Sequence, residues 1–354
     1  MPQVSENDEK VLRNRRRSAA KKAWNTIRKR KREKATELMM PLPNIETKNP
    51  DFAKFRTDYG KGIVHLFEKT PSDIACGPFW ELRWGFGCPF NCAYCYLRGT
   101  LRGRMRPRYI NITDVLATLE EVFHDGSFNG GKAAVFNSGE LADSWMNPQY
   151  MIRIVDRFEE QTKHKILTLT KFGHSNPMVK LLLGRVRKQT IPAFSINADN
   201  VARRYESDSP SPAERIKAAS MLSALGYEIR IRIDPIFPVN NWDQYYEDLL
   251  YSIFSELEPN RIILGTPRGL GKTLKFARES NLDASWISFL ERRETGWGWK
   301  LPFDQRKSIY DFFYDKLRSI GYDTRKVSIC KETVEMWKAM AFDYSPHTCC
   351  CYWI

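Results

Sequence analysis

Three cysteines within eight residues, in Gly87-Cys88-Pro89-Phe90-Asn91-Cys92-Ala93-Tyr94-Cys95, carry the plainest chemistry in the chain. A C-x3-C-x2-C spacing lets the thiolates of Cys88, Cys92 and Cys95 wrap one corner of a [4Fe-4S] cluster, which leaves one iron open to chelate a small molecule. That ligand count suits a catalytic cluster rather than an electron wire. Structural zinc wants four ligands at pairwise spacing. The terminal run Cys349-Cys350-Cys351 can supply a fourth, so a non-catalytic, zinc-stabilised nucleic-acid-binding protein stands as one alternative. Cys76, Cys330 and the terminal run are otherwise hydrogen donors, auxiliary metal ligands or inert thiols.

Charge points to the partner. The chain has 354 residues, 42% hydrophobic and 28% charged, which excludes a disulfide-stapled miniprotein and a disordered polymer. Its net charge of +14 favours a polyanionic partner such as nucleic acid or an anionic membrane face, between which charge alone does not choose. The charge is uneven: residues 1–40 hold thirteen Lys and Arg against five Asp and Glu, and the core of that segment, residues 12–34, has only Leu12, Trp24 and Ile27 as large apolar residues. They read as a basic, flexible arm that clamps phosphates. Directly after the cysteines, Arg98, Arg102, Arg104, Arg106 and Arg108 occupy eleven residues without an acid and are expected to contact nucleic acid. No apolar run is long enough to span a membrane and no secretory apolar core is present, so no membrane partner and a cytoplasmic location are expected.

These residues need a frame. The segment 41–75, punctuated by Pro41, Pro43 and Pro50, reads as a linker, 76–340 as the main domain and 341–354 as a Cys-rich tail. In the main domain strands are predicted at 79–84, 132–137, 164–170, 191–197, 228–237, 261–265 and 326–330. Helices are predicted at 113–123, 148–160, 178–187, 211–225, 242–257 and 303–320, with Asn111 or Thr113 capping the first and Ser211-Pro212-Ala213-Glu214 forming a capping box. Strands that alternate with helices make a parallel α/β sheet or barrel, whose chemistry collects at the C-terminal ends of the strands.

The cysteine motif with Tyr94 in its aromatic slot resembles the signature of the radical S-adenosylmethionine (SAM) superfamily. A closer resemblance, to spore photoproduct lyase and its relatives, runs from about Cys76 to Met340. Its pieces are GCPFNCAYCYL (87–97), LTK (169–171), FSIN (194–197), SPAERIKAA (211–219), DPIFP (234–238), LGTPR (264–268) and ICKETVEMW (329–337). The resemblance implies a partial (β/α)6-type barrel and a [4Fe-4S] cluster whose open iron binds SAM. One electron, from a donor such as flavodoxin or ferredoxin, then yields a 5′-deoxyadenosyl radical that abstracts hydrogen from a base in DNA.

By the same resemblance Ser138, Gly139 and Glu140 form the element whose carboxylate receives the SAM ammonium, and Lys171 pairs with the SAM carboxylate. Ser195 and Asn197 face the ribose or methionine moiety, Tyr94 packs near the adenine, and Tyr96 takes part in hydrogen transfer. One departure stands out. The family carries a hydrogen-donating cysteine near the end of the second strand, whereas Phe136-Asn137-Ser138 has none. Cys330, at the end of the last strand, becomes the candidate donor. A radical SAM tailoring enzyme or isomerase acting on a modified base, a nucleotide or a peptide is the second alternative.

Two further features are noted. Arg230, Arg232 and Asp234 alternate on one strand face and read as either ion pairs or substrate contacts. Gly265 to Thr273 approaches a phosphate loop but has Thr266 where that spacing needs glycine; it reads as a strand-end loop with Arg268 a candidate substrate contact.

Overall fold

The computed structural model describes residues 56–292 and 298–341, together with Cys349, Cys351 and Tyr352. The basic arm, residues 41–55 and Cys350 lie outside the described residues.

Nine strands form one sheet in chain order. Seven of them, β3 (Phe79–Leu82), β4 (Val135–Asn137), β5 (Lys165–Thr170), β6 (Thr190–Ser195), β7 (Arg230–Ile233), β8 (Arg261–Leu264) and β9 (Val327–Ile329), run parallel. The other two, β1 (Asp58–Tyr59) and β2 (Val64–Phe67), come from the segment read as a linker. They add antiparallel to β3, so the sheet begins before the expected boundary at residue 76.

Alternation sorts the strand residues to two faces. Trp80 and Leu82 join the main core beneath the helices, while Phe79 turns the other way. Phe79 of β3 clusters there with Ile263 of β8, with Cys330 and with Cys351. Strands near opposite ends of the sheet share these neighbours only if the sheet curls, which gives the open half-barrel. The tail closes part of that concave face: Asn137 at the end of β4 donates to the carbonyls of Trp80 (3.1 Å) and Cys351 (3.5 Å).

Six helices cross between the parallel strands: α1 (Ile112–His124), α2 (Pro148–Phe158), α3 (Pro177–Gly184), α4 (Pro212–Ala224), α5 (Trp242–Glu256) and α6 (Phe303–Ser319). The first four of these helices start at a side-chain cap. Asn111, Asn147, Asn176 and Ser211 each accept a backbone N–H in the first helical turn, and the last three are followed by proline, whose missing donor costs nothing there. The expected capping box is present, with Ser211 N–H and Oγ each 2.9 Å from Glu214 Oε2. Among the described residues no helix is long and apolar enough to cross a membrane.

Replacing Ser211 by Ala removes the reciprocal cap and is expected to destabilise the fold by about 1 kcal/mol. A urea midpoint equal to that of the parental chain would show that the cap contributes nothing.

Candidate active site

The cysteine loop hangs from the end of β3. Gly85–Phe86 pairs with Arg108–Tyr109 and ties both ends of the loop together. Gly87 follows at φ +85°, and a Cβ there would lie 2.5 Å from the Met105 carbonyl oxygen, so the position demands glycine. Cys88 N–H donates to that same carbonyl at 2.9 Å.

The middle of the loop is clamped from far away in sequence. Asn91–Cys92 pairs antiparallel with Glu206–Ser207, and Ala93 N–H donates to the Tyr205 carbonyl. Cys95 N–H then bonds the Cys92 carbonyl, and a single helical turn, Leu97–Thr100, follows. All three thiols are therefore held near the C-terminal ends of β3 to β6.

Burial pushes each thiol's pKa up, that of Cys92 to about 12, while the nearby Lys171 ammonium pulls Cys92 the other way. Iron would have to displace these protons, because only thiolate ligates. Among the described residues no three His, Cys, Asp or Glu side chains converge to hold a single ion. A cluster needs no such convergence, since each thiolate takes a different iron. Three thiols on one pinned loop fit that donor set.

Next to Cys92 lies a buried charge group. Glu206, wholly buried, accepts from the Tyr94 hydroxyl, from Lys171 Nζ at 3.0 Å and faces Arg215 Nη1 at 2.6 Å. The Lys171 and Arg215 charges hold its carboxyl down at about 2, against desolvation that pushes it up. One anion between two cations leaves a net +1 in the wall beside the thiols. Lys171 is further held by its own N–H, 2.8 Å from Asp143, and its Nζ donates to Ser195 Oγ at 2.7 Å. Asp143 itself also takes the Thr170 hydroxyl and the Trp145 N–H, and burial still raises its carboxyl to about 6.

Across the mouth, the Tyr96 hydroxyl donates to the Glu140 carbonyl, and Tyr96 is 44% exposed. Among the described residues no cation lies within ion-pair distance of the Glu140 carboxylate. It remains open to a ligand's ammonium, as the Lys171 side remains open to a carboxylate.

Several expected site residues sit elsewhere than the sequence implied. Asn197 is buried and fully engaged: its Oδ1 accepts from Ala198 N–H and the Tyr246 hydroxyl, and its Nδ2 donates to Pro235. It braces β6 against the turn after β7 instead of facing a ligand. The Ser138 hydroxyl is 2.9 Å from Ser144 Oγ and donates to Leu167 at 3.0 Å, so it faces β5. Gly139 lies flat on the same strand, where a Cβ would meet the Leu169 side chain at 2.7 Å. Arg98 is buried, with Nε bonded to the Cys92 carbonyl at 3.1 Å, so it stiffens the cysteine loop and offers no phosphate grip. Arg102, Arg104, Arg106 and Arg108 are exposed. Arg268 is taken up by Asp234, both nitrogen-to-oxygen distances being 2.9 Å, and Arg230 is paired with Glu228.

Glu206 and Arg215 were given no site role by the sequence reading. Arg215 lies within the SPAERIKAA piece, whose other signal was a helix cap, and Glu206, 111 residues after Cys95, lies in no quoted motif. Cys330 does reach the concave face at the end of β9, where it packs beside Phe79, Ile263 and Cys351.

Comparison with known proteins follows the same outline. The family model described as spore photoproduct lyase matches residues 78–263. The spore photoproduct lyase of Bacillus subtilis (strain 168) is 24% identical over 172 residues, 48% of this chain and 49% of that protein. The Clostridium acetobutylicum protein of that name is 26% identical over 170 residues, 46% and 48%. The chain thus spans about half the length of the curated relatives it matches. A solved spore photoproduct lyase complexed with dinucleoside spore photoproduct shares the fold, with a TM-score of 0.59 at 17% identity over 71% of this chain and 75% of that one. A variant with bound AdoMet and dinucleoside spore photoproduct does so at 0.59 and 16% over 86% and 94%.

The depressed Glu206 carboxyl makes a stability prediction. Its contribution, on the order of 3 kcal/mol, is complete above the ordinary value of 4.5 and is lost as pH falls towards about 2. Glu206→Gln leaves Lys171 and Arg215 without their counter-ion and is expected to cost about 3 kcal/mol at pH 7. The gap from the parental chain should narrow in urea unfolding at pH 3; a gap independent of pH would refute the assignment.

Proposed function

This chain belongs to the spore photoproduct lyase family, and from that premise we propose that it is a radical SAM lyase acting on a damaged base in DNA, by carbon–carbon bond cleavage. The observation that carries the reading is the meeting, at one mouth, of three pinned cysteines, the Glu140 carboxylate, which has no cation beside it among the described residues, and the net-positive group around Lys171. When bound, a [4Fe-4S] cluster and SAM would supply the 5′-deoxyadenosyl radical that takes hydrogen from substrate.

The residues divide that work. Cys88, Cys92 and Cys95 would hold the iron. Glu140 receives the SAM ammonium, and Lys171 with Ser195 receives its carboxylate, so the two ends of one small zwitterion are read by opposite charges. Tyr94 walls the adenine side, its ring 5.6 Å from Lys171 Nζ. The exposed Arg102, Arg104, Arg106 and Arg108 hold strand phosphates beside the mouth. A one-electron donor of flavodoxin or ferredoxin type, in the cytoplasm, belongs to the same reading.

In place of the cysteine missing from Phe136-Asn137-Ser138 we assign Cys330 as hydrogen donor, with Tyr96 beside the path. A thiol S–H is weaker than a serine O–H, so Cys330 can give a hydrogen atom to a carbon radical and be left as a thiyl radical. The concave face brings Cys351 against Cys330 and places the Cys351 carbonyl on Asn137, at the end of the strand that lacks the thiol.

Reduced, iron-reconstituted protein given SAM and ultraviolet-irradiated oligonucleotide should form 5′-deoxyadenosine and restore thymines, and Cys92→Ala should be colourless and form neither. Deoxyadenosine without thymine recovery would turn the reading towards another radical SAM modification. Cys330→Ala should still release deoxyadenosine but lower restored thymine by at least about tenfold; an undiminished yield removes Cys330 as donor.

A further inference from the structure

The segment Gly265 to Thr273 builds something other than a phosphate loop. Its Arg268 is held by Asp234, and Gly269 is strand-paired with Trp299. Its last residues open a helix, Gly271–Arg278, against the turn Leu97–Thr100 that follows Cys95. The approach is tight: a Cβ on Gly99 would lie 2.5 Å from Thr273 N and 2.6 Å from Thr273 Oγ1. Between the two elements is a cleft of about 340 Å³.

The side chains that line the cleft bring two cations, Arg102 and Lys272, and the hydroxyls of Thr100 and Thr273, of which Thr100 donates to the Tyr96 carbonyl. Arg102 and Lys272 are exposed at its edge. The helix has no side-chain N-cap, and the amides of Gly271, Lys272 and Thr273 meet no acceptor among the described residues. Four such amides are orphaned at any helix start and draw anions. An independent observation is Thr273: it is 2% exposed, lines the cleft, and its hydroxyl has no hydrogen-bond partner among the described residues. No carboxylate lines the cleft. Two cations, free amides on one side and a single hydroxyl suit one tetrahedral oxyanion.

We infer that this cleft binds one backbone phosphate of the nucleic-acid strand whose target base enters the cysteine mouth, and the inference rests on the nucleic-acid reading above. A strand fits better than a free nucleotide because Arg102 continues into the exposed Arg104, Arg106 and Arg108 of the same loop, a row that can follow consecutive phosphates. The amides also line one side of the site only, whereas a phosphate loop wraps a polyphosphate.

The test is fluorescence anisotropy of a labelled oligonucleotide with the full chain across a potassium chloride series. Lys272→Ala should weaken binding by about fivefold and lower the slope of log affinity against log salt by about one. Thr273→Val, which removes a neutral donor, should weaken binding by about threefold with the slope kept. Lys275→Ala, on the same helix but beside Glu279 and away from the cleft, is the control and should change neither. Unaltered affinity and slope in both variants would overturn the cleft while leaving nucleic-acid binding standing. Loss of ATP binding in the variants with oligonucleotide affinity intact would also overturn it, in favour of a free nucleotide. A parental chain that binds no oligonucleotide at low salt would defeat the broader reading and the cleft together.

Discussion

A carboxylate removed from water has to be compensated by cations and donors, and around Glu206 that requirement organises the mouth of the barrel. Lys171, Arg215 and Tyr94 all turn inward to it. The same two-residue strand that carries Glu206 pairs with Cys92, so the charge group and the cysteine loop are set against each other by backbone hydrogen bonds. Arg215 spends its remaining donors on Pro210, Ser195 and Ser209, which joins the end of β6 to the start of α4. Loosening this group would therefore release Lys171, Ser195 and Cys92 together.

The loops around it are short of freedom by design of their ends. Asn or Ser caps, three of them followed by proline, stop the loops after β4, β5 and β6 at fixed residues, and Gly87 and Gly139 allow backbones to approach where a side chain would collide. Such placement keeps donors and acceptors preorganised for a charged ligand, which is worth more than flexible reach in a partly dry site. The exposed arginines of the cysteine loop, Arg102, Arg104, Arg106 and Arg108, escape these constraints.

The concave face also gives the Cys-rich tail a place. Cys351 lies against Phe79, Ile263 and Cys330, and its carbonyl takes the Asn137 amide. Residues from strands near opposite ends of the sheet and Cys351 thereby share one small apolar cluster, and the concave side has sulfur where its fourth strand has asparagine.

Much of this was legible in the residues themselves. Alternating periodicities returned all seven parallel strands and six crossover helices, because burial on one face or two leaves a local pattern; the capping box and the cysteine spacing are local as well. The strands β1 and β2 were not legible, since two- and four-residue strands among prolines and charges carry too little period. Side-chain surroundings followed the same divide. Glu140, Lys171 and the cysteine trio come together at one mouth, but Asn197, Ser138 and Arg98 are turned into hydrogen bonds with residues up to 49 positions away. Glu206 and Arg215 became visible only when the chain was folded. The sequence by itself determined the cysteine spacing, the order of elements and the excess of positive charge, all of which depend on residue type and short spacing. Only tertiary structure decided which charges cancel, which remain open and which thiols share the concave face, because those outcomes depend on contacts between segments that no local pattern encodes.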